Sequence, residues 1–171
     1  MTYTHHKKRH GFTLIETLVA ISVLLISLAG PLSIAVQSLN SAYYARDQIT
    51  AFYLAQEGIE YVRAVRDQNF LAGSPWLTGI SDCVDSLCAV NFPDFTHEIC
   101  AGECNDVLLN STTNLFGDDT GDPTIYNRTL TIESIPGTSD EVIIRVNVSW
   151  KSAGIDRSFD IEEHMFNWLG T

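Results

Sequence analysis

The feature of this sequence that most constrains its fold is an apolar run near the N-terminus. Residues 12–36 carry a single charge, that of Glu16. As a helix this run would be roughly 37 Å long, enough to cross the ~30 Å hydrocarbon core of a bilayer. The basic residues Lys7, Lys8 and Arg9 precede it, and they predict a cytoplasmic N-terminus with the rest of the chain exported. The run therefore predicts one membrane-spanning helix.

An ordinary secretory signal peptide is the alternative interpretation of the same run. Ser27, Leu28 and Ala29 form a small-x-small site, and cleavage near Ala29 would release a secreted, disulfide-bonded binding domain. A proline just after such a site is unfavourable, and a glutamate inside a signal peptide is unusual. The helical pattern also continues beyond residue 30, which favours an anchor that stays attached.

The residues at the start of the run form a specific motif. Residues 8–16 read KRHGFTLIE, and they resemble the leader of type IV pilins and type II secretion pseudopilins. The resemblance implies that a prepilin peptidase cuts between Gly11 and Phe12 and methylates the new amine of Phe12. It also implies that Glu16 pairs with the amine of a neighbouring subunit during assembly. The close match covers residues 8–29.

Several further expectations follow from this resemblance. The partners would be other pilin or pseudopilin subunits, the prepilin peptidase and an inner-membrane assembly platform. The chain would be a single-pass protein of the cytoplasmic membrane with its C-terminal head outside, and later part of an extracellular or periplasmic filament. The filament could be a type IV pilus, or the pseudopilus of a type II secretion or DNA-uptake machine.

Glu16 has a simpler interpretation as well. It lies only about 6 Å from the start of the mature helix, so its carboxylate could reach the lipid headgroups, where the helix dipole favours a negative charge. Further along, Gly30 and Pro31 predict a break in the helix, because proline lacks a backbone donor and clashes with the preceding turn.

Beyond the apolar run the helical period continues. The predicted apolar stripe of this second half is formed by Ala45, Ile49, Phe52, Ala55, Ile59 and Val62. The helix should end near Asn69, ahead of the sequence Gly-Ser-Pro at residues 73–75.

The four cysteines lie within 22 residues and predict disulfide bonds if that stretch is exported. Zinc binding would be the alternative in a cytosolic protein, but the spacings are looser than in common zinc sites. Three complete pairings are possible. Local closure favours Cys83–Cys88 together with Cys100–Cys104.

The fold class predicted is α+β and pilin-like, with a long N-terminal helix packed on a C-terminal antiparallel β-meander. The expected segments are a leader at 1–11, a transmembrane or filament-core helix at 12–36, the amphipathic half of the helix at 37–70, a disulfide-stapled irregular region at 71–123 and a sheet at 124–171. Within the irregular region, short strands are possible at residues 88–92 and 96–100. Alternating patterns predict strands at residues 124–132, 141–151 and 155–166.

The sequence shows little sign of catalysis or of nucleic-acid binding. It contains no P-loop, HExxH motif or nucleophile elbow, so no enzyme and no bound cofactor are expected. From residue 82 onward there are 16 acidic and 4 basic residues, which argues against nucleic acid as the main partner. Asp118, Asp119 and Asp122 offer oxygen ligands for calcium, but they lack the EF-hand spacing and a closing glutamate, so a solvated acidic turn is the favoured interpretation.

The long region between the helix and the sheet, residues 71–123, also indicates whether the chain is a major or a minor subunit of a filament. Thousands of identical copies must pack laterally, which favours a compact head, whereas the 53 residues 71–123 form a large insert. Loops on a rigid scaffold often display function. The sequence therefore predicts a minor, priming or tip-proximal subunit.

Overall fold

A computed structural model describes residues 11–117, 120–152 and 154–168. Its internal contacts divide the chain into two units, one ending at Tyr43 and the other beginning at Tyr44. The helix α1 (Leu14–Ala72) contributes residues to both. In the first unit every described side chain is exposed. An apolar helix surface of this extent calls for lipid or other protein around it.

The helix is continuous through Gly30 and Pro31, and the predicted break at these residues is not present. Proline removes one backbone hydrogen bond, but the remaining turns of a 59-residue helix hold the helical conformation on both sides. Such prolines are tolerated in membrane helices, where neighbouring groups satisfy the freed carbonyl.

The end of α1 lies three residues beyond the predicted end at Asn69. Gly73 has a φ of 67°, the left-handed conformation that glycine adopts without a steric cost. The Gly73 N–H donates to the Phe70 carbonyl at 3.1 Å, and the Ser74 N–H donates to the Asn69 carbonyl at 2.9 Å. These two bonds form a Schellman cap, so the glycine determines where the helix stops.

The second unit combines the remainder of α1 with a seven-stranded antiparallel sheet. A short 3₁₀ helix, Ser81–Cys83, precedes the strands. The strands are β1 (Cys88–Asn91), β2 (Thr96–Ile99), β3 (Asp106–Asn110), β4 (Leu115–Gly117), β5 (Asp122–Ser134), β6 (Glu141–Ser152) and β7 (Ile155–Phe166).

The long strand β5 lies at the centre of the sheet. On one side it pairs with β6, which in turn pairs with β7, giving the predicted meander. On its other side β5 pairs with β3 near Asn127 and with β1 at Leu130. The strand β2 extends the sheet from β1, and β4 extends it from β3.

The prediction of an irregular segment at 71–123 is therefore wrong in part. This region contributes four strands, β1 to β4, to the same sheet as the C-terminal meander. Two of them match the short strands considered from the sequence, and the other two gave no signal. Strands of three to five residues are too short to show a period of two. The strands that lie next to them in the sheet, and not the pattern of their own residues, determine their pairing.

The face of α1 that packs on the sheet is rotated from the predicted stripe. Ala55, Ile59 and Val62 are buried as predicted, but Ala45, Ile49 and Phe52 are not. The buried face instead includes Asp47, Ala51, Leu54, Gly58, Tyr61 and Val65. Two neighbouring faces of a helix share some residues, so the sequence pattern did not distinguish them. The small or polar residues Asp47, Ala51 and Gly58 on the buried face also contribute little hydrophobicity to that pattern.

The core of the second unit lies between this helix face and the inner face of the sheet. The strand β6 supplies Val142, Ile144, Val146, Val148 and Trp150, all of them buried. These alternate positions are the ones that the sequence pattern placed on one face. The fold is thus α+β with a pilin-like order of elements, one long N-terminal helix followed by an antiparallel sheet, and it contains two disulfides.

Candidate functional site

The N-terminal segment around the predicted cleavage position precedes the first turn of α1. Thr13 caps the helix: its carbonyl accepts the N–H groups of Glu16 at 3.1 Å and Thr17 at 3.2 Å. Its side-chain Oγ1 also accepts the Glu16 N–H at 3.3 Å. Threonine followed three residues later by glutamate is the spacing of a capping box. The motif that resembles a pilin leader therefore also contains a helix start signal.

Glu16 lies in the first turn of the helix and is exposed. A carboxylate at this position interacts favourably with the positive end of the helix dipole. Among the residues that the structure describes, no basic side chain forms an ion pair with it. The carboxylate is consequently accessible to a cationic group from outside the chain.

The bond between Gly11 and Phe12 is accessible in the described part of the chain. The Phe12 side chain is 82% exposed. A Cβ built on Gly11 would meet no atom within 4 Å. Nothing in the packing of the described residues requires glycine at position 11. The rest of the leader, residues 1–10 with Lys8 and Arg9, lies outside the described residues.

Two disulfide bonds are present, Cys83–Cys88 and Cys100–Cys104. This is the pairing that local closure favoured. Cys83 and Cys88 are fully buried in the core beside the start of β1. The second disulfide closes the turn between β2 and β3. The first disulfide thus links the 3₁₀ helix to the start of β1, and the second lies between β2 and β3.

The proposed calcium ligands are mostly untested. Asp118 and Asp119 lie outside the described residues, and Asp122 is an exposed residue at the start of β5, paired with Leu109. The one group of potential metal-binding side chains found among the described residues is Asp82, Cys83 and His97. The Cys83 sulfur is bonded to Cys88, so it does not provide a thiolate ligand.

His97 instead connects the helix to the 3₁₀ segment. Its Nδ1 lies 3.1 Å from the Tyr61 hydroxyl, and its Nε2 lies 2.9 Å from the Asp82 carboxylate. The hydrogen bond from His97 lowers the pKa of Asp82 below its ordinary value. No local sequence pattern connects these three residues, because 36 positions separate Tyr61 from His97.

Arg128 is a buried cation that the sequence analysis did not identify. Its guanidinium donates to the Leu54 carbonyl at 3.2 Å, to the Val90 carbonyl at 2.5 Å and to the Glu57 carboxylate at 2.9 Å. It thereby joins α1, β1 and β5. The alternating pattern of β5 could have indicated that Arg128 is buried, since it lies on the same face as Tyr126 and Leu130.

Asp47 is the second buried charge that sequence reasoning missed. It is 4% exposed, and Arg46 donates to its Oδ1 at 2.8 Å. The Ser152 hydroxyl donates to its Oδ2 at 3.3 Å. Tyr126 donates to its backbone carbonyl at 3.4 Å, and burial raises the pKa of that tyrosine. These contacts join the helix to the turn between β6 and β7.

Comparison with known families matches residues 6–30 to the prokaryotic N-terminal methylation motif. Comparison with curated proteins and with solved structures produced no match to either. The matched segment spans the glycine, the phenylalanine and the glutamate described above, and it runs into a helix that is long and apolar enough to cross a membrane. This combination fits a single-pass, membrane-anchored protein. The motif, the long apolar helix and the order of elements are consistent with a type IV pilin-like protein.

Proposed function

We propose that this chain is a structural subunit of a type IV pilus-like filament and that prepilin peptidase processes it between Gly11 and Phe12. The observation that carries the proposal is the methylation motif at residues 6–30, at the start of an apolar helix with fully exposed sides. Such a helix suits two environments in turn, the bilayer before assembly and the packed centre of a filament afterwards.

The proposed role of Glu16 is to pair with the methylated amine of Phe12 in a neighbouring subunit. A carboxylate within a bilayer costs about 2.5–3.5 kcal/mol on the insertion scale, and an ion pair with an adjacent amine would offset part of that cost. The exposure of Glu16 and the lack of a basic partner among the described residues support this role.

We further propose that the subunit is a minor one, with a priming or tip-proximal position. The region 71–123 supports this rank. The sequence indicated the rank by a large irregular insert, whereas the structure supports it through an ordered one. Its four short strands and two disulfides add an ordered extension to the sheet beyond the C-terminal meander. A stable additional surface of this kind suits a subunit with its own contacts at the filament end.

A pseudopilin of a type II secretion or DNA-uptake machine is the alternative within the same class. It would share the leader, the peptidase, the inner-membrane assembly platform and the helix, and it would differ in the machine that recruits it. The secreted-domain alternative requires cleavage near Ala29. The uninterrupted helix on both sides of Ala29 counts against it, because the described chain shows no boundary there.

Intact-mass measurement of the mature protein tests the proposal. The expected mass is that of a chain beginning at Phe12 with one added methyl group, and it should depend on a functional prepilin peptidase in the producing cells. A chain that begins near Gly30 would instead support signal-peptidase release. Recovery of the unprocessed leader from assembled filaments would also contradict the proposed processing.

A further inference from the structure

Three exposed cations meet at one end of the second unit. Arg46 lies in α1, Lys151 near the end of β6 and Arg157 in β7. The Arg157 guanidinium lies 5.0 Å from the centroid of the Tyr44 ring. Ser152, the neighbour of Lys151, donates to the same Asp47 carboxylate that Arg46 contacts. The side chains of Arg46 and Lys151 are 69% and 66% exposed. We name these three residues the basic end.

The basic end contrasts with the charge of the rest of the unit. After residue 43 the sequence has 20 acidic and 7 basic residues. The four arginines outside the basic end, Arg63, Arg66, Arg128 and Arg145, all form ion pairs with acidic side chains. Within the basic end, Arg46 pairs with the buried Asp47 and Lys151 pairs with Asp156 at 3.5 Å, so two acidic side chains accompany the three cations. The exposed charge at this place is therefore positive on an otherwise acidic unit.

Exposed aromatic and apolar side chains accompany these cations. Tyr44 is 37% exposed, Ile49 is 57% exposed and Ile155 is 53% exposed. Tyr43 precedes them directly in the sequence. Tyrosine together with arginine and lysine is the composition that proteins place at the boundary between lipid and water. The aromatic rings suit the headgroup level, and long basic side chains extend toward phosphate groups.

The stretch of chain between the proposed membrane anchor and this surface is short. Tyr44 is the first residue of its unit, and it follows the last residue of the apolar run, Val36, by eight positions. Eight helical residues span about 12 Å. The headgroup layer on each side of a bilayer takes up roughly 5–7 Å, so the remaining distance is within the reach of arginine and lysine side chains.

We propose that the basic end binds the headgroups of anionic phospholipids in the leaflet on which the head is displayed. The contact orients the head against the membrane before the subunit enters a filament. It joins opposite charges, since the phosphate groups of the lipid meet the three cations while the acidic remainder of the unit is repelled from the surface. The inference requires the membrane anchor of the proposed function, but not its processing or its assembly.

Lys151 provides a direct reporter, because it is the only lysine after Lys8 in the sequence. The full chain is incorporated at one copy per lipid nanodisc, either in phosphatidylcholine alone or with added phosphatidylglycerol. The rate of Lys151 acylation is then followed by peptide mass spectrometry. We expect acylation to be about fivefold slower in the anionic discs at low salt. The difference should disappear at high salt, which screens the contact.

Two variants make the test specific. Arg157→Gln should remove most of the lipid-dependent protection, because it removes one cation of the basic end. Arg145→Gln, an exposed arginine on β6 outside the basic end, should leave the protection unchanged. It also controls for the general effect of an anionic surface on amine reactivity.

Two outcomes would overturn the proposal. Equal acylation rates in neutral and anionic discs would show that the basic end does not contact lipid. Protection that appears only with two copies per disc, and in neutral lipid as well, would assign the surface to a second copy of the chain. Neither outcome bears on cleavage between Gly11 and Phe12, so the filament assignment is tested separately.

Discussion

At the scale of single residues, the charges of Glu16 and Arg128 have different physical settings. Glu16 lies in the apolar run but is exposed, so its partner must come from outside the described chain. Arg128 is 2% exposed and has its partners within the second unit. We propose that the first charge acts in assembly, whereas the second connects α1, β1 and β5.

Replacement of Glu16 by alanine should separate processing from assembly. The Glu16→Ala variant should be exported and cleaved normally, since the glycine and phenylalanine of the motif are unchanged. It should be strongly depleted from sheared filaments, because the neighbouring amine loses its partner. Ser22→Ala, which removes a polar group from the same helix, should assemble normally. Wild-type amounts of the Glu16→Ala variant in filaments would reduce this glutamate to a tolerated interfacial charge.

Replacement of Arg128 by methionine should lower the free energy of unfolding by about 3 kcal/mol, because the carboxylate of Glu57 and two backbone carbonyls lose their donor. Denaturant unfolding of the full chain in detergent, followed by near-UV circular dichroism, measures the change. Arg145→Met removes two exposed ion pairs instead, with Glu133 and Glu162, and should cost less than about 1 kcal/mol. Equal effects of the two variants would show that the buried contacts of Arg128 do not hold the fold.

At the scale of elements, the helix and the sheet approach each other closely at Gly58. A Cβ at this position would lie 3.1 Å from both methyl groups of Val146. From the sequence alone, Gly58 only weakens the helix, by about 1 kcal/mol relative to alanine. The structure shows that this glycine also allows β6 to pack against α1.

The Gly58→Ala substitution tests which of these two effects is larger. We expect a net destabilisation, because Val146 is 1% exposed and has little room to move. The same substitution in a Val146→Ala background should be stabilising relative to that background, since the gain in helix propensity then remains without the clash. Unfolding free energies of the four chains form a double-mutant cycle. Additive effects of the two substitutions would contradict the close approach.

The two disulfides should differ in their resistance to reduction. Each closes a short loop and restricts the unfolded chain by about 2 kcal/mol in the entropic description. Cys83 and Cys88 are fully buried, whereas Cys100 is partly exposed, and thiol exchange requires access to a sulfur. Graded reduction with alkylation and peptide mapping should therefore open Cys100–Cys104 first. Earlier labelling of Cys83 and Cys88 would show that the start of β1 opens readily.

At the scale of the whole molecule, the chain combines a long apolar helix, for which we propose a role in assembly, with a sheet that strands β1 to β4 extend beyond the C-terminal meander. The expected consequence is a low copy number in the filament. Quantitative mass spectrometry of purified filaments should find this chain far below the most abundant subunit. A finding that it is the principal component would reject the minor rank and leave the filament assignment intact.

The sequence by itself determined the local features of this protein. The apolar run, the motif around Gly11 and Phe12 and the glycine at the end of α1 each act through a few neighbouring residues, and so they were predictable. The alternation of β6 likewise gave its buried face. Local closure favoured the observed disulfide pairing because each pair of cysteines lies within five positions.

Only the tertiary structure decided which face of the helix is buried, how residues 71–123 fold and where Arg128 finds its partners. Strand β3 finds its hydrogen-bond partners on β5, and β4 finds its partners on β3, and no local pattern encodes these pairings. The helix face is set by the close approach at Gly58 and by the contacts of Asp47. These features depend on residues far apart in the chain, and their free energy arises only when the helix and the sheet pack together.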